Sequence, residues 1–119
     1  MASLNTFGAI LTYAANLETA LRDYYQQVGD SERSKAADKR RQTMERIRRE
    51  AVVEITLEPI EGLNEADYEL ALSDTSASGQ QAVEATAARF YADVAPKINV
   101  RQAQRALERA GKEHQELAG

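Results

Sequence analysis

Residues 16–28 read NLETALRDYYQQV and residues 83–94 read VEATAARFYADV. Glu18, Tyr24, Tyr25 and Val28 of the first stretch correspond to Glu84, Phe90, Tyr91 and Val94 of the second, each pair 66 positions apart. Phe7, Leu11, Ala14, Glu18, Leu21, Tyr25 and Val28 recur at the three-and-four spacing of one helix face, apolar except for the glutamate. Glu84, Ala87, Tyr91 and Val94 repeat that face. A seam written twice, with the same acid inside it each time, requires two related halves that pack helix on helix.

The rest of the chain can be arranged around those two helices. GDSERS at 29–34 reads as a short turn before a second helix from about Ser34 to Leu57, with Met44, Ile47, Ala51 and Ile55 on its stripe. Pro59 argues for a stop near Glu58, because the residue before a proline avoids the helical region. Residues 58–75 form a long connection in which Asn64 can start a short helix. The third helix runs from about Ser76 to Ala95, and Pro96 ends it. Asn99 with Gln102 resembles a capping box for a fourth helix whose seam is Val100, Ala103, Leu107, Ala110, His114 and Leu117. Two helical hairpins joined by a long link suit an all-α, antiparallel four-helix bundle in one domain, residues 1–119, with a crossover between helices 2 and 3. A three-helix domain with a mobile middle segment ranks second.

Composition narrows the chemistry. The chain has no cysteine, which removes disulfides, thiolate metal sites and cysteine nucleophiles together, and it has one histidine. No phosphate-binding glycine loop or nucleophilic triad can be drawn. The N-terminus has no basic stretch ahead of its apolar residues, and no apolar run approaches the ~20 residues of a bilayer span. The expectation is a cytoplasmic protein without a membrane segment. Net charge is −4, unevenly spread: residues 32–50 hold eight Lys/Arg against four Asp/Glu, and residues 51–88 hold eight Asp/Glu and no Lys or Arg. A basic stripe can bind nucleic acid, but with a negative total and no nucleic-acid motif it reads first as a solvated helix face.

The repeat carries a resemblance. The interval from Glu18 to Glu45 is the same as from Glu84 to Gly111, and Arg48 corresponds to His114. In this order and spacing the chain resembles the ferritin-like superfamily, and within it the rubrerythrin-like proteins. Their bundles carry a glutamate on helices 1 and 3 and Glu-x-x-His on helices 2 and 4, around two metal ions. Glu18 and Glu84 match the first pair. ERIR (Glu45–Arg48) keeps the acid and has Arg for His, and GKEH (Gly111–His114) keeps the His and has Gly for Glu. The Cys-x-x-Cys module of rubrerythrins is missing.

The resemblance therefore implies a degenerate di-metal site without di-iron oxidase chemistry, and it leaves open whether the chain is an enzyme. Arg48 is expected to pair with Glu18 and fill one metal position with its own charge, since a guanidinium binds carboxylates and ligates no cation. Glu45, Glu84 and His114 are left around the other, able to hold one weakly bound divalent ion, iron, manganese or zinc. The metal-free state is the first expectation. Tyr24, Tyr25, Phe90 and Tyr91 read as packing, with a tyrosine hydroxyl able to bond a site carboxylate. The alternative function is a metal-free, dimeric helical interaction or scaffolding module. Self-association is expected because Leu63, Tyr68, Leu70 and Leu72 in the connection need cover.

Overall fold

A computed structural model of the chain describes Leu4, residues 6–50 and residues 62–119. These residues are all-α: helices α1 (Phe7–Val28), α2 (Ser31–Glu50), α3 (Ala77–Val94) and α4 (Arg101–Ala118), with 3-10 turns at Glu65–Tyr68 and Ala95–Lys97.

Helix α1 starts where the Thr6 side chain accepts the amide of Ala9, and it ends at Gly29, whose φ of 92° is open to glycine at little cost. The amides of Gly29 and Asp30 return to the carbonyls of Gln26 and Tyr25, closing the helix end in a Schellman motif. The turn is shorter than GDSERS suggested, and α2 begins at Ser31. Side chains tie the two helices together: the Ser34 hydroxyl donates to the Arg22 carbonyl, Arg22 pairs with Asp38, and Arg40 reaches Glu18. Ala37, Arg40, Met44 and Ile47 make the buried face of α2. The expected continuation through Ala51 and Ile55, and the stop before Pro59, lie outside the described residues.

Asn64 caps its short turn, its side chain accepting the amide of Ala66. From there the connection follows α1. The Leu4 amide donates to the Leu63 carbonyl, the Tyr13 hydroxyl to the Tyr68 carbonyl, and the Tyr24 hydroxyl to the Asp74 carbonyl. Leu63 and Tyr68 are buried and Leu70 packs against the core, while Leu72 is 37% exposed. Three of the four apolar positions that called for a partner are thus covered by the chain itself.

Ser76 caps α3 by accepting the amide of Gly79. The capping box proposed for α4 does not form. Its N-cap is Val100, which lacks a side-chain acceptor, and Asn99 precedes the cap by one residue. One apolar core joins all four helices and the connection. The seam residues of α1, α3 and α4 read from the sequence lie in it, with only Val28 and Leu117 half-exposed at helix ends.

Candidate functional site

Three acidic or basic side chains on the inner seams have no solvent exposure: Glu18 on α1, Glu84 on α3 and His114 on α4. They form one cluster. His114 stands between the two acids, its Nε2 at 2.8 Å from Glu18 Oε2 and its Nδ1 against Glu84 Oε2. With a carboxylate at each nitrogen, the ring is satisfied on both sides when both nitrogens donate, that is, as an imidazolium.

The tyrosines of the repeat complete the acids, each serving the opposite copy. The Tyr25 hydroxyl on α1 donates to Glu84 Oε1 at 2.5 Å, and the Tyr91 hydroxyl on α3 donates to Glu18 Oε2 at 2.6 Å. Positions that correspond through the repeat thus exchange equivalent bonds across the core. The Tyr91 ring also stacks on His114, 6° from parallel with centroids 5.6 Å apart. Gly111 makes room for this: a Cβ on it would lie 2.8 Å from Tyr91 Cβ. The residue that reads in the sequence as a lost ligand is the point of close approach between α3 and α4. The other aromatic pair members serve elsewhere, with Tyr24 on the Asp74 carbonyl and Phe90 against the rings of Tyr13, Tyr68 and Tyr91.

Charge closes the cluster. Arg40 Nε donates to Glu18 Oε1 at 2.9 Å, and Arg40 Nη1 donates to Glu113 Oε1 at 2.9 Å. The Arg40 side chain is only 7% exposed, and its Nη2 has no hydrogen-bond partner among the described residues. Inside, two carboxylates face one guanidinium and one imidazolium. Burial pushes His114 down, but the hydrogen bonds it donates to Glu18 and Glu84 and the charge of Glu18 outweigh burial and the nearby Arg40, raising it to about 9. Burial pushes Glu18 up, while the hydrogen bond and charge of His114, the charge of Arg40 and the Tyr91 hydroxyl hold it below the usual carboxylate range. Tyr91 is driven well above the tyrosine range by burial and then by the Glu18 charge and hydrogen bond.

Two expected members are elsewhere. Arg48 is exposed near the end of α2, and the arginine on Glu18 is Arg40. The physical reason is helical phase: Arg40 is four residues before Met44 and seven before Ile47, on the buried stripe, whereas Arg48 follows Ile47 directly and is turned ~100° away. Glu45 sits beside the stripe and bonds Arg41 Nη1 at 2.8 Å, with its side chain 43% exposed. The trio expected around a metal is thus reduced to Glu84 and His114, and Glu18 joins them. Neither Arg40 nor Glu113 is singled out by the repeat; the Met44–Ile47 stripe extended back one turn reaches the arginine.

Comparison with known proteins found no matching family model, curated protein or solved structure.

Proposed function

We propose that this chain is a ferritin-like, rubrerythrin-like helical bundle whose di-metal centre has been replaced by a metal-free charge and hydrogen-bond cluster, and that it works as an interaction or scaffolding module, not as an enzyme. The observation that carries this reading is the exchange of Tyr25→Glu84 and Tyr91→Glu18 bonds around one bridging histidine. It is the arrangement expected when a duplicated hairpin retains the acids of a metal centre and supplies its own positive charge. The antiparallel four-helix arrangement with a crossover belongs to the same proposal. It is supported by the α1–α2 pairing and by the course of the connection beside α1.

The donor set does not suit a divalent ion. Both imidazole nitrogens are occupied by carboxylates, one Glu18 oxygen is held by a guanidinium, and the charges of Glu18 and Glu84 are matched by Arg40 and His114. Adding a dication requires His114 to lose its proton and a carboxylate to leave it, with no additional acid to offset the charge. Self-association is not needed to cover the connection, so the proposed module is defined by its bundle and not by a dimer.

Metal analysis tests this reading. Protein purified without chelator, then incubated with ferrous iron, manganese or zinc and desalted, is expected to retain far less than one ion per chain. Retention of one ion per chain, lost in a His114→Ala variant, would return the site to a mononuclear metal centre.

A further inference from the structure

Outside the buried cluster, the sharpest departure from the chain's acidic character is a groove between α2 and α4. It is open to solvent along one side and has a volume of about 650 Å³, within the size range of small-molecule sites. Lys39, Arg40, Arg46 and Arg49 line it from α2, and Arg109 and Glu113 from α4. Its two acids are engaged, Glu45 by Arg41 and Glu113 by Arg40. Among the described residues no carboxylate pairs with Lys39, Arg46, Arg49 or Arg109. Four cations therefore surround a concavity in a protein of net charge −4.

The floor of the groove gives a reason for this charge. Arg40 is held through Nε by Glu18, and its two terminal nitrogens are only half used: Nη1 has Glu113, while Nη2, buried behind it, has no acceptor among the described residues. A buried guanidinium nitrogen without an acceptor is costly. Glu113 closes the floor with a side chain that is 45% exposed and can swing out. An oxyanion taking its place can span Nη1 and Nη2 together, the two-pronged geometry that arginine offers phosphate.

We propose that this groove binds the phosphate group of a small phosphorylated molecule, with Arg40 as the anchor, Glu113 as the competing internal anion, and Lys39, Arg46, Arg49 and Arg109 as the surrounding field. Duplex nucleic acid fits less well, because the anchor lies at the bottom of a concavity between two helices and not along a projecting edge. The inference does not depend on the ancestry of the buried cluster.

Calorimetric titration of the full chain with inorganic phosphate and with adenosine monophosphate, at fixed moderate salt, tests it, with a duplex DNA oligonucleotide as a third probe. Both phosphates are expected to bind, the monophosphate more tightly if the groove also holds the organic part. Arg109→Ala and Arg46→Ala are each expected to weaken binding ~2- to 5-fold, as for single exposed charges. Glu113→Gln is expected to tighten it by ~5-fold or more by removing the competitor from Arg40. Glu108→Gln, the same charge change on an exposed α4 position that does not line this groove, is expected to leave it unchanged. Absence of phosphate binding at about 10 mM, equal effects of Glu113→Gln and Glu108→Gln, or binding confined to the DNA would each overturn the proposal.

Discussion

Raising the pH from about 6 to about 9.5 should remove much of the stability that His114 contributes. The chain has a single histidine, so this window is unusually clean. In the folded protein His114 faces Glu18 and Glu84, stacks on Tyr91 and lies near Arg40, and its pKa is raised from 6.5 to about 9. Between those two values the folded state holds a proton that the unfolded chain releases. Stability is therefore fully present below about pH 6.5 and falls as pH rises through about 9. A displacement of ~2.5 units at 1.36 kcal/mol each gives ~3 kcal/mol, a large share of the 5–15 kcal/mol typical of a domain. The acid side runs the other way, because Glu18 is depressed: its contribution is present above the ordinary carboxylate range and is lost as pH falls through its folded pKa. Urea unfolding followed by far-ultraviolet circular dichroism at about pH 6, 7.5 and 9.5 measures the fall. A His114→Gln variant serves as the control, since it retains any contribution from the N-terminal amine and loses that of the imidazole. A profile flat within ~0.5 kcal/mol from pH 6 to 9.5, or an equal slope in the variant, would refute the imidazolium bridge.

Other substitutions probe the same packing. Gly111→Ala gains ~1 kcal/mol of helix propensity but forces its methyl against Tyr91 Cβ, and the net effect in thermal unfolding should be a loss of ~1 kcal/mol or more. Tyr25→Phe and Tyr91→Phe each remove a donor from a buried carboxylate and should each cost ~1.5–3 kcal/mol in denaturant unfolding. Arg48→Ala and Glu45→Gln should stay within ~0.5 kcal/mol of the parent in the same assay, as expected for an exposed and a half-exposed side chain outside the cluster.

Periodicity made the seams legible. Glu18, Glu84 and His114 fall on apolar faces at helical spacing, and all three are buried. Their contact with one another is a tertiary fact that spacing alone does not contain. The repeat paired Glu18 with Glu84 and Tyr25 with Tyr91, but not the crosswise bonding between them. It also points to the wrong arginine. Shifting the chain by 66 residues singles out Arg48 opposite His114, whereas burial selects Arg40, whose counterpart in the second half is Ala106. The two halves correspond in sequence along their seams but differ in how they supply positive charge. Gly111 illustrates another limit: a motif comparison registers a missing side chain, and only the distance to Tyr91 shows what the vacancy accommodates. The absent capping box at α4 was a local pattern one residue out of phase with the backbone.

The crosswise tyrosine–glutamate bonds also bear on how α1 and α3 find their alignment. Alanine, leucine and valine seams grip well but discriminate poorly, since sliding by one turn, ~5.4 Å, brings similar surfaces together again. Here the same slide would part Tyr25 from Glu84 and Tyr91 from Glu18 simultaneously, leaving two buried acids each short of a donor at ~1–3 kcal/mol apiece. The cluster thus acts as a detent, penalising every offset but one. Apolar substitutes of similar size at these four positions could hold the helices together as firmly, yet would leave several alignments close in energy.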